Sequence, residues 1–235
     1  MSKNFVLDYI HEKVKETKEK HAKKPQAPII TISREFGCPG VPLGNELQKA
    51  LQGKKLKFSS SSEWEVLDKE IITSAAKELD LPANLAEKYF RAEHSNNPLE
   101  NLFRSISDHY LPSDLEIKKK VAEIILTMAD KGNVIILGRA GAMLTHEMDN
   151  SFHVKLYAPP EWRAQQIMKM KNVSEKEAMN LVKMVDRERV YIRKFFAGEQ
   201  QSDDFFNVTY NCDRMNIEEI TSSVVHILEK KGFFE

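Results

Sequence analysis

The sequence predicts an α/β fold in which a parallel β-sheet carries helices on both faces. Short segments rich in β-branched and apolar residues alternate with segments whose apolar residues recur at helical spacing. Residues 29–33 and 134–137 are such strand-like segments, and their largely apolar character is typical of strands buried on both sides. Strands that alternate with helices along the whole chain favour a doubly covered parallel sheet.

The individual elements follow from this periodicity and from signals at their ends. Capping boxes of the form Ser-x-x-Glu or Asn-x-x-Glu open three of the later helices. Strands are expected near residues 29–33, 65–67, 134–137, 152–157 and 206–211. Helices are expected to begin near residues 43, 68, 82, 113, 160, 174 and 216.

The first residues of the chain form a separate region. Residues 4–24 carry an apolar stripe at helical spacing and end in a run rich in Lys and Glu, which predicts an amphipathic helix. We assign residues 1–27 to an N-terminal helical extension. Two interpretations stay open: an appended helix without a chemical role, or a helix that packs on the domain or on a second copy of the chain, which would make a homodimer.

Composition restricts the possible functions. Basic and acidic side chains are equal at 35 each, so an anion site must be local, and general attraction to nucleic acid is not expected. Cys38 and Cys212 are far apart in sequence and lack C-x-x-C spacing, which argues against a disulfide framework and against structural zinc. The sequence shows neither a membrane-spanning apolar run nor a signal-peptide pattern, so we expect a cytoplasmic protein.

Candidate site residues follow the predicted strands. Ligands of open α/β sheets bind at the carboxyl ends of the strands, where loops and helix N-termini meet. Ser33, Arg34 and Glu35 end the first strand, ahead of the glycine loop at residues 37–44. Asp68 follows the second strand and Arg139 follows the third. Two arginines and a glycine loop at one edge indicate an anion, and phosphate is the commonest.

These residues lie in motifs that resemble the cytidylate kinase-like family. The resemblance spans about residues 28–231, and the order and spacing of its pieces are more specific than any one of them. The pieces are Ile32-Ser33-Arg34-Glu35-Phe36-Gly37-x-x-Gly40, Leu67-Asp68-Lys69-Glu70-Ile71-Ile72, Val134-Ile135-Ile136-Leu137-Gly138-Arg139, Leu156-Tyr157-Ala158-Pro159-x-Glu161-Trp162-Arg163, Val185-Asp186-Arg187-Glu188-Arg189 and Asn211-x-x-Arg214-x-Asn216.

The resemblance implies a P-loop kinase domain over residues 28–235, with a helical lid near residues 174–198. Such a domain transfers the γ-phosphoryl group of ATP to a nucleoside monophosphate, here CMP or dCMP first, with Mg²⁺. The donor phosphates would be bound by Ser33, Gly37, Cys38, Gly40 and Gly44. Charge in the transition state would be stabilised by Arg34, Arg187, Arg189 and Arg193. The acceptor would be bound by Asp68, Arg139, Arg163 and Asp186.

The glycine loop departs from the pattern of a working phosphate loop. That pattern, G-x-x-x-x-G-K-[ST], supplies backbone N–H groups, a Lys for the phosphates and a hydroxyl for Mg²⁺. Here Gly40 and Pro42 occupy the Lys and Ser/Thr positions, and Pro39 and Pro42 have no N–H to donate. Two explanations stay open. Arg34 replaces the lysine, with Ser33 or Glu35 assisting Mg²⁺, or the site binds nucleotide or phosphate without catalysis.

Each candidate also has a purely structural interpretation. The glycines could form a tight turn between strand and helix, and the run from Asp186 to Arg193 could be a solvated, ion-paired helix face. Glu35 and Asp68 could be turn or cap residues, and Cys38 a small packing residue. The histidines show no ligand spacing, so no protein-held metal site is expected.

Overall fold

A computed structural model describes residues 27–57, 62–68, 114–197 and 203–235, together with a few isolated positions between residues 12 and 16 and between 73 and 78. The expected N-terminal helix and the helices expected from residues 68 and 82 lie almost entirely outside the described residues. The assignment of residues 1–27 to a separate extension therefore stays a prediction.

Within the described residues the sheet has five strands, all parallel, in the order β2-β3-β1-β4-β5. The strands are β1 (Ile29–Arg34), β2 (Glu65–Leu67), β3 (Val134–Leu137), β4 (Ser151–Tyr157) and β5 (Val208–Asn211). This arrangement confirms the predicted fold class. β1 lies at the centre, and the chain builds β2 and β3 on one side of it and β4 and β5 on the other. Ligands of open sheets bind at such a change of direction.

Helices connect the strands within the described residues. They are α1 (Gly40–Leu51), α2 (Asp114–Lys131), α3 (Gly141–Thr145), α4 (Pro160–Lys171), α5 (Glu175–Ala197) and α6 (Ile217–Lys230). The expected capping box of α6 is present, because the Asn216 side chain accepts from the Glu219 N–H and the Glu219 side chain accepts from the Asn216 N–H. α3 was not expected from the sequence, since five residues are too few to show helical periodicity.

Both faces of the sheet are buried, as the apolar strands predict. On one face Ile29 and Ile136 pack in a cluster with residues of α2 and the C-terminal part of α5, including Phe196. On the other face Ile30 and Ile32 pack against α1 and α6. Alternate residues of β1 therefore enter opposite cores, and the strand is fixed at the centre of the domain. No helix in the described parts of the chain is both long and apolar enough to cross a membrane.

A buried histidine holds a polar network inside the sheet. The Thr31 hydroxyl lies 2.8 Å from His153 Nδ1, and the Ser151 hydroxyl lies 2.9 Å from His153 Nε2. Ser151 donates its proton to the Met148 carbonyl at 2.7 Å, so it accepts from Nε2–H while Thr31 donates to Nδ1. Burial, and secondly the nearby His146, lower the pKa of His153 from 6.5 to about 4. The ring is therefore neutral in the folded protein at neutral pH.

This network predicts that the protein loses stability between pH 6.5 and about 4. In that range the unfolded chain binds a proton at His153 that the folded chain excludes, so the free energy of unfolding falls with pH by up to about 3 kcal/mol. Urea unfolding at several pH values measures the effect. His153→Gln should show a shallower dependence than the parent over this range. Parallel profiles of the two proteins would contradict the assignment.

Candidate functional site

Two arginines and one aspartate converge at the carboxyl ends of β1, β2 and β3. Arg34 is the last residue of β1, Asp68 follows β2 directly, and Arg139 lies two residues after β3. Arg34 Nη2 and Arg139 Nη2 lie 3.8 and 3.6 Å from the same oxygen, Asp68 Oδ1. The side chains of Arg34, Arg139 and Asp68 are 16%, 11% and 21% exposed, respectively. Two guanidinium groups and one carboxylate give this partly buried cluster, which we call the edge cluster, a net positive charge.

Two glycines make the space that Arg34 occupies. A Cβ atom at Gly138 would lie 2.0 Å from Arg34 Nη1, and a Cβ at Gly40 would lie 3.1 Å from Arg34 Cγ and Cδ. A Cβ atom at the first distance would force the end of the Arg34 side chain to move. Gly138 and Gly40 therefore hold the Arg34 side chain between the turn after β3 and the start of α1.

The turn after β3 has an unusual backbone. Gly138, Arg139 and Ala140 are successive residues with left-handed φ angles of 70°, 53° and 59°. For a non-glycine residue this conformation costs on the order of 1 kcal/mol, and it persists only where the surroundings impose it. Here it carries the chain from β3 into α3 and places Arg139 beside Asp68. Strain of this kind is concentrated at binding and catalytic sites.

The loop between β1 and α1 has few backbone donors to offer a phosphate. The Phe36 N–H donates to Asp186 Oδ1, and the N–H groups of residues 38, 40 and 43 donate to the carbonyls of residues 35, 38 and 39. Pro39 and Pro42 have no N–H. Only the N–H groups of Gly37 and Val41 are left between residues 36 and 43. A backbone cradle like that of the usual phosphate loop is therefore not available in this conformation.

The other glycines of the loop serve close packing. A Cβ at Gly37, whose φ is +97°, would lie 2.9 Å from both Cβ and the carbonyl oxygen of Arg163. A Cβ at Gly44 would lie 3.1 Å from Leu137 and 3.3 Å from Val66, so this glycine lets α1 approach the sheet. Ser33, also predicted to bind the donor, is buried in β1. The roles of these residues in phosphate binding stay predictions.

Arg163 is buried and connects three segments. Its Nε donates to the Ala158 carbonyl at 2.9 Å and lies 3.3 Å from Glu35 Oε2, while its Nη1 donates to the Phe36 carbonyl at 3.1 Å and to Asp186 Oδ2. Glu35 Oε2 also accepts from the Ala158 N–H at 3.2 Å. Arg163 thus joins the loop after β1, the end of β4 and helix α5. Both Arg163 and Asp186 contact protein groups here, and acceptor binding by them stays a prediction.

The arginines of α5 divide between two faces of the helix. Arg189 is half-buried, its Nη1 donates to the Arg34 carbonyl at 2.8 Å, and its guanidinium carbon lies 5.6 Å from the centre of the Phe36 ring. Arg193, one turn further on, is half-buried and its Nε has no hydrogen-bond partner among the described residues. Arg187 is exposed. The face that carries Asp186, Arg189 and Arg193 is therefore the one that meets the edge of the sheet.

The residues present suit a phosphorylated ligand better than a metal held by protein alone. Within the described ranges there is no group of three or more His, Cys, Asp or Glu side chains that could hold a metal ion. The Glu35 carboxylate already contacts Arg163 and the Ala158 N–H. Mg²⁺ in phosphoryl-transfer sites is held largely by phosphate oxygens and water, with one or two carboxylates. In the edge cluster, Asp68 is the carboxylate that would hold the Mg²⁺ ion together with the phosphate oxygens.

The sheet order, the flanking helices and the site at the end of β1 define an α/β protein of the P-loop kinase kind. The chain belongs to the cytidylate kinase-like family, whose model matches residues 29–213. Family membership supports a phosphotransferase of the P-loop kind. Among proteins of curated function, none matches the chain at a significant level.

A solved structure of low sequence identity shares this fold. An uncharacterized protein from Eubacterium ventriosum is 17% identical with a TM-score of 0.60, and the match covers 87% of this chain and 99% of that one. Shikimate kinases from Bacteroides thetaiotaomicron and Acinetobacter baumannii are 13% and 10% identical, with TM-scores of 0.48 and 0.46. These matches cover 86% and 88% of this chain and 98% and 95% of the two kinases. Only the first is similar enough to bear on the fold.

Proposed function

We propose that the protein is an ATP-dependent kinase that phosphorylates a nucleoside monophosphate, with CMP or dCMP as the first candidates. The observation that carries the proposal is the edge cluster, where Arg34 and Arg139 meet at Asp68 in a member of the cytidylate kinase-like family. Phosphoryl transfer requires little covalent chemistry from the protein, and positive charge around the transferring group is its main requirement.

In this proposal the arginines replace the missing lysine and the missing backbone donors. Arg34, held between two glycines, lies beside the start of α1. We assign it to the donor phosphates. Arg139 binds the acceptor phosphate from the turn after β3. A planar guanidinium can hold two phosphate oxygens at once, which a lysine cannot do. Arg189 and Arg193 add charge from α5, and Arg187 is expected to contribute only if α5 or its neighbours move when ligand binds.

A second candidate function is favoured by a specific observation. Most of the N–H groups between residues 36 and 43 are bonded within the protein or replaced by proline. A loop of this kind fits a protein that binds a nucleotide or phosphate through its arginines and regulates a partner without turnover. The two functions share the anion site and differ only in catalysis.

Incubation with ATP, Mg²⁺ and a panel of monophosphates tests the proposal and separates the two candidates. The kinase predicts ADP formation that depends on the acceptor, with CMP or dCMP among the best, and a corresponding diphosphate detected by ion-exchange chromatography. Reactions without acceptor measure simple ATP hydrolysis. The regulatory alternative predicts that a nucleotide raises the melting temperature without turnover, since a ligand of the native state stabilises it. No ADP above background with any acceptor would overturn the kinase assignment.

A further inference from the structure

The two cysteines of the chain meet at the carboxyl edge of the sheet. Arg34, Leu156 and Tyr210 lie at the same level of β1, β4 and β5, so the segments after β1 and β5 leave the sheet on either side of the end of β4. The Glu35 N–H donates to the Leu156 carbonyl at 3.0 Å, and the Cys212 N–H donates to the Tyr157 carbonyl at 2.9 Å. The Cys38 N–H donates to the Glu35 carbonyl at 3.1 Å and closes a turn, and Cys38 packs against the same apolar cluster as Cys212.

The side chains of Cys38 and Cys212 are neighbours in the core. The two thiol groups are close enough for each to shift the pKa of the other, and both residues pack in the apolar cluster between the sheet, α1 and α6. Cys212 is 8% exposed, and Cys38 is half-buried. Both are free thiols in this structure. The sequence separation that argued against a disulfide is therefore no obstacle, because the fold brings the two residues together.

The interaction between the two thiols makes the sulfurs unequal. The neighbouring Cys38 thiol lowers the pKa of Cys212, whereas burial and the negative charge of Glu35 act in the opposite direction. The neighbouring Cys212 raises the pKa of Cys38, and burial adds to this effect. These directions make Cys212 the candidate for the attacking thiolate and Cys38 the candidate for the resolving thiol. Thiolates are the reactive form of cysteine towards oxidants.

We propose that Cys38 and Cys212 are a redox modification site that forms a reversible intramolecular disulfide. With hydrogen peroxide as the oxidant, the Cys212 thiolate attacks one peroxide oxygen, and the O–O bond breaks to give a sulfenic acid and hydroxide. Cys38 then attacks the sulfenic sulfur as its proton leaves, the S–O bond breaks, and water is released. Two thiols and one peroxide give one disulfide and two waters.

The disulfide would tie the loop after β1 to the end of β5. The loop contains Gly37 and Gly40, and Gly40 lies against the Arg34 side chain. The disulfide would therefore restrict the motion of a loop that is next to the edge cluster. The bond would also close a long segment of chain, which stabilises a protein mainly by restricting its unfolded state. Oxidation should therefore raise the melting temperature. The modification itself does not depend on the proposed kinase function.

Treatment of the full chain with a small excess of hydrogen peroxide, followed by thiol titration under denaturing conditions, tests the proposal. The reduced protein contains two cysteines, so the titration should fall from two thiols to none, and dithiothreitol should restore both. On a denaturing, non-reducing gel the oxidised protein should migrate at the mass of one chain, which shows that no disulfide joins separate chains. Peptide mass spectrometry should find the peptide containing Cys38 linked to the peptide containing Cys212, with the mass of two hydrogen atoms lost.

Cys38→Ser and Cys212→Ser are the matched controls. Cys38→Ser should give a sulfenic acid at Cys212 that dimedone traps, while Cys212→Ser should react more slowly, and neither should show the rise in melting temperature. Three results would overturn the proposal: two free thiols after treatment, a linkage only between separate chains, or oxidation beyond the sulfenic acid without the internal crosslink.

Discussion

Replacing Arg163 with methionine should lower the free energy of unfolding by about 3 kcal/mol. The Arg163 side chain is only 6% exposed, and its loss leaves the carboxylates of Glu35 and Asp186 without their shared cation. The carbonyls of Phe36 and Ala158 lose a donor as well. Methionine fills a similar volume, so the loss reports on the polar contacts more than on a cavity. Urea unfolding followed by circular dichroism measures the change.

Two further variants separate the ion pair from general effects on α4. Lys169→Met removes an exposed charge from the same helix and should change stability by less than about 0.5 kcal/mol. Asp186→Asn keeps an oxygen that can accept from the Phe36 N–H, so it should cost less than Arg163→Met, about 1–2 kcal/mol. The double variant should cost less than the sum of the two changes, because both remove the same contact. Full additivity would show that the pair is not coupled.

Replacing Arg34 with methionine should lower kcat/KM for phosphoryl transfer by about 10²–10³-fold. Arg34 lies against Gly40 at the start of α1, where the usual lysine is absent, so its removal takes charge from the transition state. Most of the loss should fall on kcat. Steady-state kinetics with the best acceptor of the panel measures it, and a melting curve of each variant shows whether the fold is kept.

Two further variants test this prediction: one removes an unrelated charge, and the other changes the position of Arg34 without removing it. Lys49→Met removes a charge from α1 whose side chain is 71% exposed, and its kcat/KM should equal that of the parent. Gly138→Ala leaves Arg34 intact but places a methyl group 2.0 Å from Arg34 Nη1, so it should reduce activity by displacing the guanidinium, and its melting curve shows the cost of alanine at a φ of +70°. An active Arg34→Met variant would show that this arginine has no part in transfer.

Much of the fold follows from local sequence patterns. β2 and β3 have the bounds expected from the sequence. β1 ends one residue later than expected, and β4 begins one residue earlier. β5 begins at Val208, two residues later than expected, because the Phe206 N–H bonds to the Asp203 carbonyl in a turn that precedes the strand. The five-residue helix α3 was missed because it depends on the left-handed turn after β3, and the sequence carries no periodic signal for that turn.

The site was predictable only in part. The rule that ligands bind at carboxyl ends of strands correctly brought Arg34, Asp68 and Arg139 to one edge. It could not show that Arg163 and Asp186 contact each other, because that pairing depends on how α4 and α5 pack. It could not show the contact of Cys38 with Cys212 either, which depends on strand order. The sequence could not show how the arginines expected in the lid are placed either: Arg189 donates to the Arg34 carbonyl, whereas Arg187 is exposed.

The most direct test of the edge cluster as the phosphate site is a crystal structure of the protein with bound CMP. The monophosphate is expected to lie within hydrogen-bond distance of the Arg139 guanidinium, with Arg34 on the side towards α1 and Asp68 close by. CMP bound elsewhere, or a phosphate that contacts neither Arg34 nor Arg139, would contradict it.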